Sequence, residues 1–157
     1  VYGPWGRPDM ALFKFTQSIL NGQKIDVYNY GDMSRDFTYI DDLVAAVRVL
    51  IDANPLRSDS KLKSPKEIDS KSPVAPFRVV NIGNSQPKQL SDFIIALENS
   101  LGVTADKNFM PMQPGDVPAT YADVSLLEQL TGYQPKTTIE DGVARFVDWY
   151  RYYYQIS

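Results

Sequence analysis

The run Phe77-Arg78-Val79-Val80-Asn81-Ile82-Gly83 sets the tightest limit on the fold. It is nearly all apolar and rich in β-branched residues. Such a strand is expected where both faces are covered, as in a parallel sheet flanked by helices. The segments around it fit that arrangement. Leu12, Phe13, Thr16, Ile19 and Leu20 share one helical face, with Asp9 placed to cap it and Asn21-Gly22 to stop it. Leu43, Val47, Leu50 and Ile51 recur at helical spacing between about 42 and 53, behind Asp41 and Asp42, whose charges suit a helix N-terminus. Leu90, Phe93, Ile94, Leu97 and Leu101 mark a third helix, ended by Gly102. Asp123 is placed to cap a short helix through Leu130. Thr138 with Asp141 forms a capping box ahead of Ile139, Val143, Phe146, Val147 and Tyr150.

Between the helices, Ile25 and Val27 alternate with Asp26 and Tyr28, as in a half-buried strand. Gly31-Asp32 reads as a turn and residues 35–40 as a second extended segment. Helices alternating with short strands predict an α/β chain. Three or four strands are few for a complete sheet, and a chain of 157 residues opening at Val1 reads as one domain or a part of one. Residues 54–76, rich in Pro, Ser, Lys and Asp, read as a mobile surface loop.

Composition removes several kinds of chemistry. The chain has no cysteine and no histidine, which excludes disulfides, thiolate or imidazole metal sites and a Ser-His-Asp arrangement. A net charge of −3 disfavours nucleic acid as a partner. No apolar run reaches membrane-spanning length, so neither a membrane partner nor a membrane location is expected, and the expected compartment is cytoplasmic. A dinucleotide loop is also missing. In Gly3-Pro4-Trp5-Gly6-Arg7-Pro8-Asp9 the third glycine position is Asp9, and two prolines remove amide donors. No tyrosine is followed four residues later by lysine. No catalytic residue is therefore assigned within this chain.

Binding candidates remain. Arg35 stands in Gly31-Asp32-Met33-Ser34-Arg35-Asp36-Phe37. It reads either as a surface ion pair with Asp32 or Asp36, or as a forked donor for phosphate oxygens. Arg7 reads either as the turn partner of Asp9 or as a cation facing a ligand. Asp116, in Pro114-Gly115-Asp116, suits an Asx turn. Val27, Tyr28 and Asn29 read as strand, Leu12 and Phe13 as core, and Trp149-Tyr150-Arg151-Tyr152-Tyr153-Tyr154 as a terminal helix packing one face.

Four ordered motifs carry a resemblance: Val1–Phe15, Ile25–Asp42, Val79–Leu90 and Pro114–Asp123. Together they resemble the carboxyl-terminal, substrate-binding part of extended short-chain dehydrogenase/reductases, the NAD-dependent epimerase/dehydratases, and most closely the glucuronate branch of the nucleotide-sugar 4-epimerases. The resemblance implies an amino-terminal Rossmann domain that holds NAD and lies outside this chain, with residues 77–83 extending its sheet. It implies a homodimeric parent that interconverts UDP-glucuronate and UDP-galacturonate at C4 and serves capsule polysaccharide synthesis. This chain alone is expected to be inactive. Carried over by motif, Arg35 meets the diphosphate, Arg7 the uronate end and Asp116 the ribose. Leu12, Phe13, Val27, Tyr28 and Asn29 lie near the uracil. Gln113 stands where relatives carry a second phosphate-binding arginine, so one positive charge is lost there. A nucleotide-sugar 4,6-dehydratase and a stand-alone nucleotide-sugar binding module are the alternatives.

Overall fold

The computed structural model describes residues 1–55, 70–72 and 74–156. The expected loop at 54–76 therefore lies largely outside the described residues.

Among the described residues, five α-helices are interspersed with four short strands. They are α1 (Ala11–Leu20), β1 (Ile25–Val27), β2 (Ser34–Arg35), α2 (Ile40–Leu50), β3 (Lys88–Gln89), α3 (Leu90–Leu101), β4 (Lys107–Phe109), α4 (Ser125–Thr131) and α5 (Ile139–Tyr154). β1 pairs with β4 in parallel, Ile25 opposite Lys107, and β2 pairs with β3 antiparallel, Ser34 opposite Gln89. Single bridges join Tyr2 to Tyr39 and Ser34 to Ala119.

The core lies where α3 and α5 pack together and α1 closes over them. The apolar positions read from periodicity supply it: Leu12, Phe13 and Ile19 from α1, Phe93, Ile94, Leu97 and Leu101 from α3, and Val143, Phe146, Val147 and Tyr150 from α5. Ring-to-ring contacts run through it, with Phe37 stacked on Phe93 at 4.6 Å and Phe13 edge-on to Phe146 at 4.9 Å. Burial works to raise Glu98 on α3, but Lys107 and the Ala105 N–H outweigh it and hold the carboxyl below its ordinary range. That contact fastens β4 to α3.

Caps agree with the sequence in part. Thr138 Oγ1 accepts from the Asp141 N–H at 3.1 Å, half of the expected box. Asp123 accepts from both N–H and Oγ of Ser125, one residue before the α4 N-cap Val124. Asp9 does not cap α1; the N-cap is Met10, and the Asp9 carboxylate is engaged by Arg7. Helix α2 starts at Ile40 rather than Asp42, and Ala46 is its buried residue, while Val44, Val47 and Ile51 are exposed.

Two strand expectations change. Tyr28–Gly31 is a tight 3-10 turn, not strand, with Asn29 and Tyr30 at φ 49° and 53°. Asn29 donates its side-chain amide to the Asp32 carbonyl at 2.6 Å, a local bond that helps asparagine hold a left-handed backbone. Residues 77–83 form no ladder with any described strand, and Phe77 and Val79 are 59% and 57% exposed. A β-branched sequence favours extended backbone, but a strand also requires an edge to pair with, and no described element supplies one here.

Asp42 lies in the first turn of α2, as expected, and its carboxylate also gathers the 133–137 loop. Its Oδ2 accepts from the N–H groups of Lys136 (3.2 Å) and Thr137 (2.9 Å), and its Oδ1 from the Tyr133 hydroxyl at 3.2 Å. Burial first, and Asp42 second, push the Tyr133 phenol up to about 12. The sign follows from linkage. A raised folded-state value contributes stability that is complete below the unfolded tyrosine value near ~10 and is lost as pH rises through about 12. Thermal unfolding followed between pH 9 and 12 is expected to show a falling Tm, with a shallower fall in Tyr133→Phe. An equal fall in the variant would rule this residue out as the source.

No helix among the described residues is long and apolar enough to cross a membrane.

Candidate functional site

A groove of about 380 Å³ lies between the loop leading into α1, α1 itself, the turn after β1, β2 with the residues that follow it, and the loop around Asp116. Its apolar lining includes Leu12, Phe13, Phe15, Phe37 and Phe93, residues whose other faces belong to the core. Arg7, Arg35, Asp36, Asp116 and Thr120 supply most of its polar groups. An apolar groove with a few fixed polar groups is the usual form of a small-molecule site.

Arg35 sits at the centre of the polar part. Its side chain is 25% exposed. Nη2 donates to Asp116 Oδ1 at 2.9 Å and Nη1 donates to the Ser34 carbonyl at 3.0 Å. The ion-pair partner is thus neither Asp32 nor Asp36 but a carboxylate 81 residues away. A guanidinium carries five N–H donors, so others remain to meet an anion. Asp116 is held by its own turn. Its N–H donates to the Gln113 carbonyl at 3.2 Å, and its Oδ1 also accepts from the Val117 N–H at 2.8 Å.

The 118–122 segment runs along β2 and is hydrogen-bonded to it. Ser34 N–H donates to the Pro118 carbonyl (2.8 Å), Thr120 N–H to the Ser34 carbonyl (3.1 Å), and Asp36 N–H to Thr120 Oγ1 (3.2 Å). Asp36 then accepts three backbone N–H groups: Asn84 on Oδ1 at 2.9 Å, and Ser85 and Ala122 on Oδ2 at 3.1 and 3.0 Å. From sequence alone Asp36 reads only as a charge neighbour of Arg35. No local pattern in the sequence marks this junction; the structure shows it at Gly83, where an added Cβ would come within 2.5 Å of Ala122 Cβ and 2.9 Å of Asp36 Oδ2.

Arg7 lines the groove with its side chain 76% exposed, and both Nε and Nη2 donate to Asp9. That bond holds the Asp9 carboxyl below the usual carboxylate range. Trp5, at φ 60°, packs against Trp149 and Tyr153 at 5.2 and 5.0 Å, which fastens the loop carrying Arg7 onto α5. Of the residues predicted from sequence, Arg7, Leu12, Phe13, Tyr28, Arg35 and Asp116 line the groove. Three others lie off its lining: Val27 in the core, Asn29 in its own turn, and Gln113 exposed in the loop, where its carbonyl accepts from Asp116.

The first segment offers no cradle for a dinucleotide. The Gly6 N–H is turned to the Gly3 carbonyl at 3.3 Å, and Gly3 lies close against the Ile40 and Tyr39 side chains. With Pro4 and Pro8 lacking an N–H and the Gly6 N–H engaged, the segment does not present the run of successive amides that cradles a pyrophosphate.

Residues 1–60 match the model of the NAD dependent epimerase/dehydratase family. The chain is 55% identical over 155 residues to Protein CapI of Staphylococcus aureus, covering 99% of this chain and 46% of that protein. It is 53% identical over 150 residues to a probable UDP-glucuronate 4-epimerase of Rhizobium meliloti (strain 1021), covering 96% and 44%. The fold matches that of UDP-glucuronic acid 4-epimerase from Bacillus cereus, solved in complex with UDP-glucuronic acid and NAD, at a TM-score of 0.77 and 29% identity, over 98% of this chain and 43% of that one. The chain spans less than half the length of each of these proteins.

Proposed function

We propose that the chain, which resembles the NAD dependent epimerase/dehydratase family over residues 1–60, forms the nucleotide-sugar-holding part of a UDP-glucuronate 4-epimerase. The observation that carries this reading is the Arg35–Asp116 pair set beside an apolar groove. In it, the free N–H groups of Arg35 meet the diphosphate, where charge-assisted forked bonds are strongest. Asp116 accepts ribose hydroxyls. Leu12, Phe13 and Tyr28 contact the base, and Arg7 faces the sugar carboxylate.

The parent enzyme of this reading interconverts UDP-glucuronate and UDP-galacturonate. NAD there supplies reversible hydride transfer at C4, and it is assigned to residues outside this chain, because the glycines here do not fit it. The groove's own residues bind and orient the substrate and keep water from the base. A 4,6-dehydratase acts on a sugar without a carboxylate and gives Arg7 no anionic partner. Assay of the parent with UDP-glucuronate and with a 6-hydroxymethyl nucleotide-sugar separates the two, and turnover of the second alone would favour the dehydratase.

Calorimetry with UDP tests the binding role directly. The chain is expected to bind UDP, and Arg35→Ala to weaken that affinity by ten- to a hundredfold, or about 1.4–2.7 kcal/mol. Binding that survives the substitution unchanged would remove Arg35 from the phosphate site.

A further inference from the structure

We infer that Asp36 is a positioning residue that sets the Arg35–Asp116 pair, and through it the anion affinity of the groove. The inference rests on the binding role proposed above. Its structural half stands apart from it.

The argument begins with the turn at 83–85. Ser85 has φ 53°, and the successive N–H groups of Asn84 and Ser85 point to one side, the geometry that makes a backbone concavity for anions. Here the anion is in the chain itself, the carboxylate of Asp36. The Ala122 N–H arrives on the same oxygen from a third segment, and Ser85 Oγ closes the junction by donating to the Ala122 carbonyl at 2.7 Å. Gly83 is required because any side chain there would displace Ala122 or Asp36. One carboxylate therefore ties its own stretch to two others that are distant in sequence.

Those stretches position the pair. Arg35 precedes Asp36 directly, and Asp116 lies six residues before Ala122 on the segment that β2 holds in register. With Asp36 docked, that segment is anchored at both ends, by Arg35–Asp116 at one and by Asp36–Ala122 at the other. Without it, the carboxylate anchor at Ala122 is gone, and the segment is left with the Arg35–Asp116 bond, its backbone bonds to Ser34 and the neutral bonds of Thr120 and Ser85. The Arg35–Asp116 pair would then be held less firmly, and the remaining Arg35 donors with it. Asp36 needs no contact with a ligand for this.

The test compares wild type, Asp36→Asn, Asp116→Asn and the double variant. Asp36→Asn keeps the volume but turns an amide donor toward donors. In the ligand-free chain, hydrogen exchange at the Arg35 guanidinium and at the Asn84, Ser85 and Ala122 amides is expected to accelerate at least tenfold in Asp36→Asn, while the amides of α3 and α5 keep their protection. UDP affinity is expected to fall at least tenfold in Asp36→Asn, and the release of Arg35 in the double variant to be no greater than in Asp116→Asn alone, because both changes free the same pair. An unchanged Arg35 signal, or strictly additive release of Arg35, overturns the inference. Should wild type fail to bind UDP while Arg35 is released in the variant, the proposed function fails and the positioning role stands. If Asp36→Asn does not fold, Ser85→Ala, which opens the same junction more gently, is expected to release Arg35 in the same direction; no release there overturns the inference.

Discussion

Truncating Phe146 to alanine is expected to remove about 3–5 kcal/mol of folding stability. The residue is 0% exposed, at the place where α5 meets both α1 and α3. Its ring lies 4.9 Å from Phe13 and 5.7 Å from Trp149 and from Tyr150, so the loss combines buried area, edge contacts and a cavity that aromatic neighbours cannot readily collapse into. Phe13 lines the groove with its other face, so the groove wall should soften as well. Urea unfolding followed by circular dichroism is the measurement, with the midpoint falling and the slope unchanged. A loss below about 1 kcal/mol would mean that the surrounding rings repack, and that this contact is not central to the fold.

The second large effect is expected at Gly83. Alanine there places a methyl 2.5 Å from Ala122 Cβ, an atom fixed to its own backbone, and 2.9 Å from Asp36 Oδ2. Overpacking of this kind costs about 1–3 kcal/mol, and the loss of hydrogen bonds to a charged acceptor about 1.5–3 more, giving roughly 3 kcal/mol or above. Gly102 is the control. It ends α3 at φ 72° with no atom within 4 Å of an added Cβ, so Gly102→Ala bears only the left-handed backbone penalty of about 1–2 kcal/mol. Unfolding of the two variants side by side decides the matter. If Gly83→Ala proves no worse than Gly102→Ala, the junction around Asp36 is looser than these distances require.

Helices α1, α3 and α5 are legible in the sequence because their information is local. Leu12, Phe13 and Ile19, or Val143, Phe146 and Tyr150, repeat within one or two turns, and all of them are buried. The Thr138 cap was legible for the same reason. Arg35 could be singled out by residue type, but its partner could not be read, because Asp32 and Asp36 are close in sequence while Asp116 is close only in space. Residues 77–83 show the converse. Their composition is that of a buried strand, yet they meet no strand among the described residues.

By itself, then, the order of residues determined which stretches coil, which faces of α1, α3 and α5 turn inward, and which cation and carboxylates are available to hold an anion, while the inward face of α2 did not follow its apolar spacing. Those properties follow from backbone periods and side-chain chemistry acting over a few residues. Tertiary structure alone decided that Arg35 meets Asp116, that Asp36 docks on Asn84, Ser85 and Ala122, and that Gly83 must lack a side chain. Each of these is a meeting of chain segments tens of residues apart, and which carboxylate reaches which donor is settled by the packing of the elements between them.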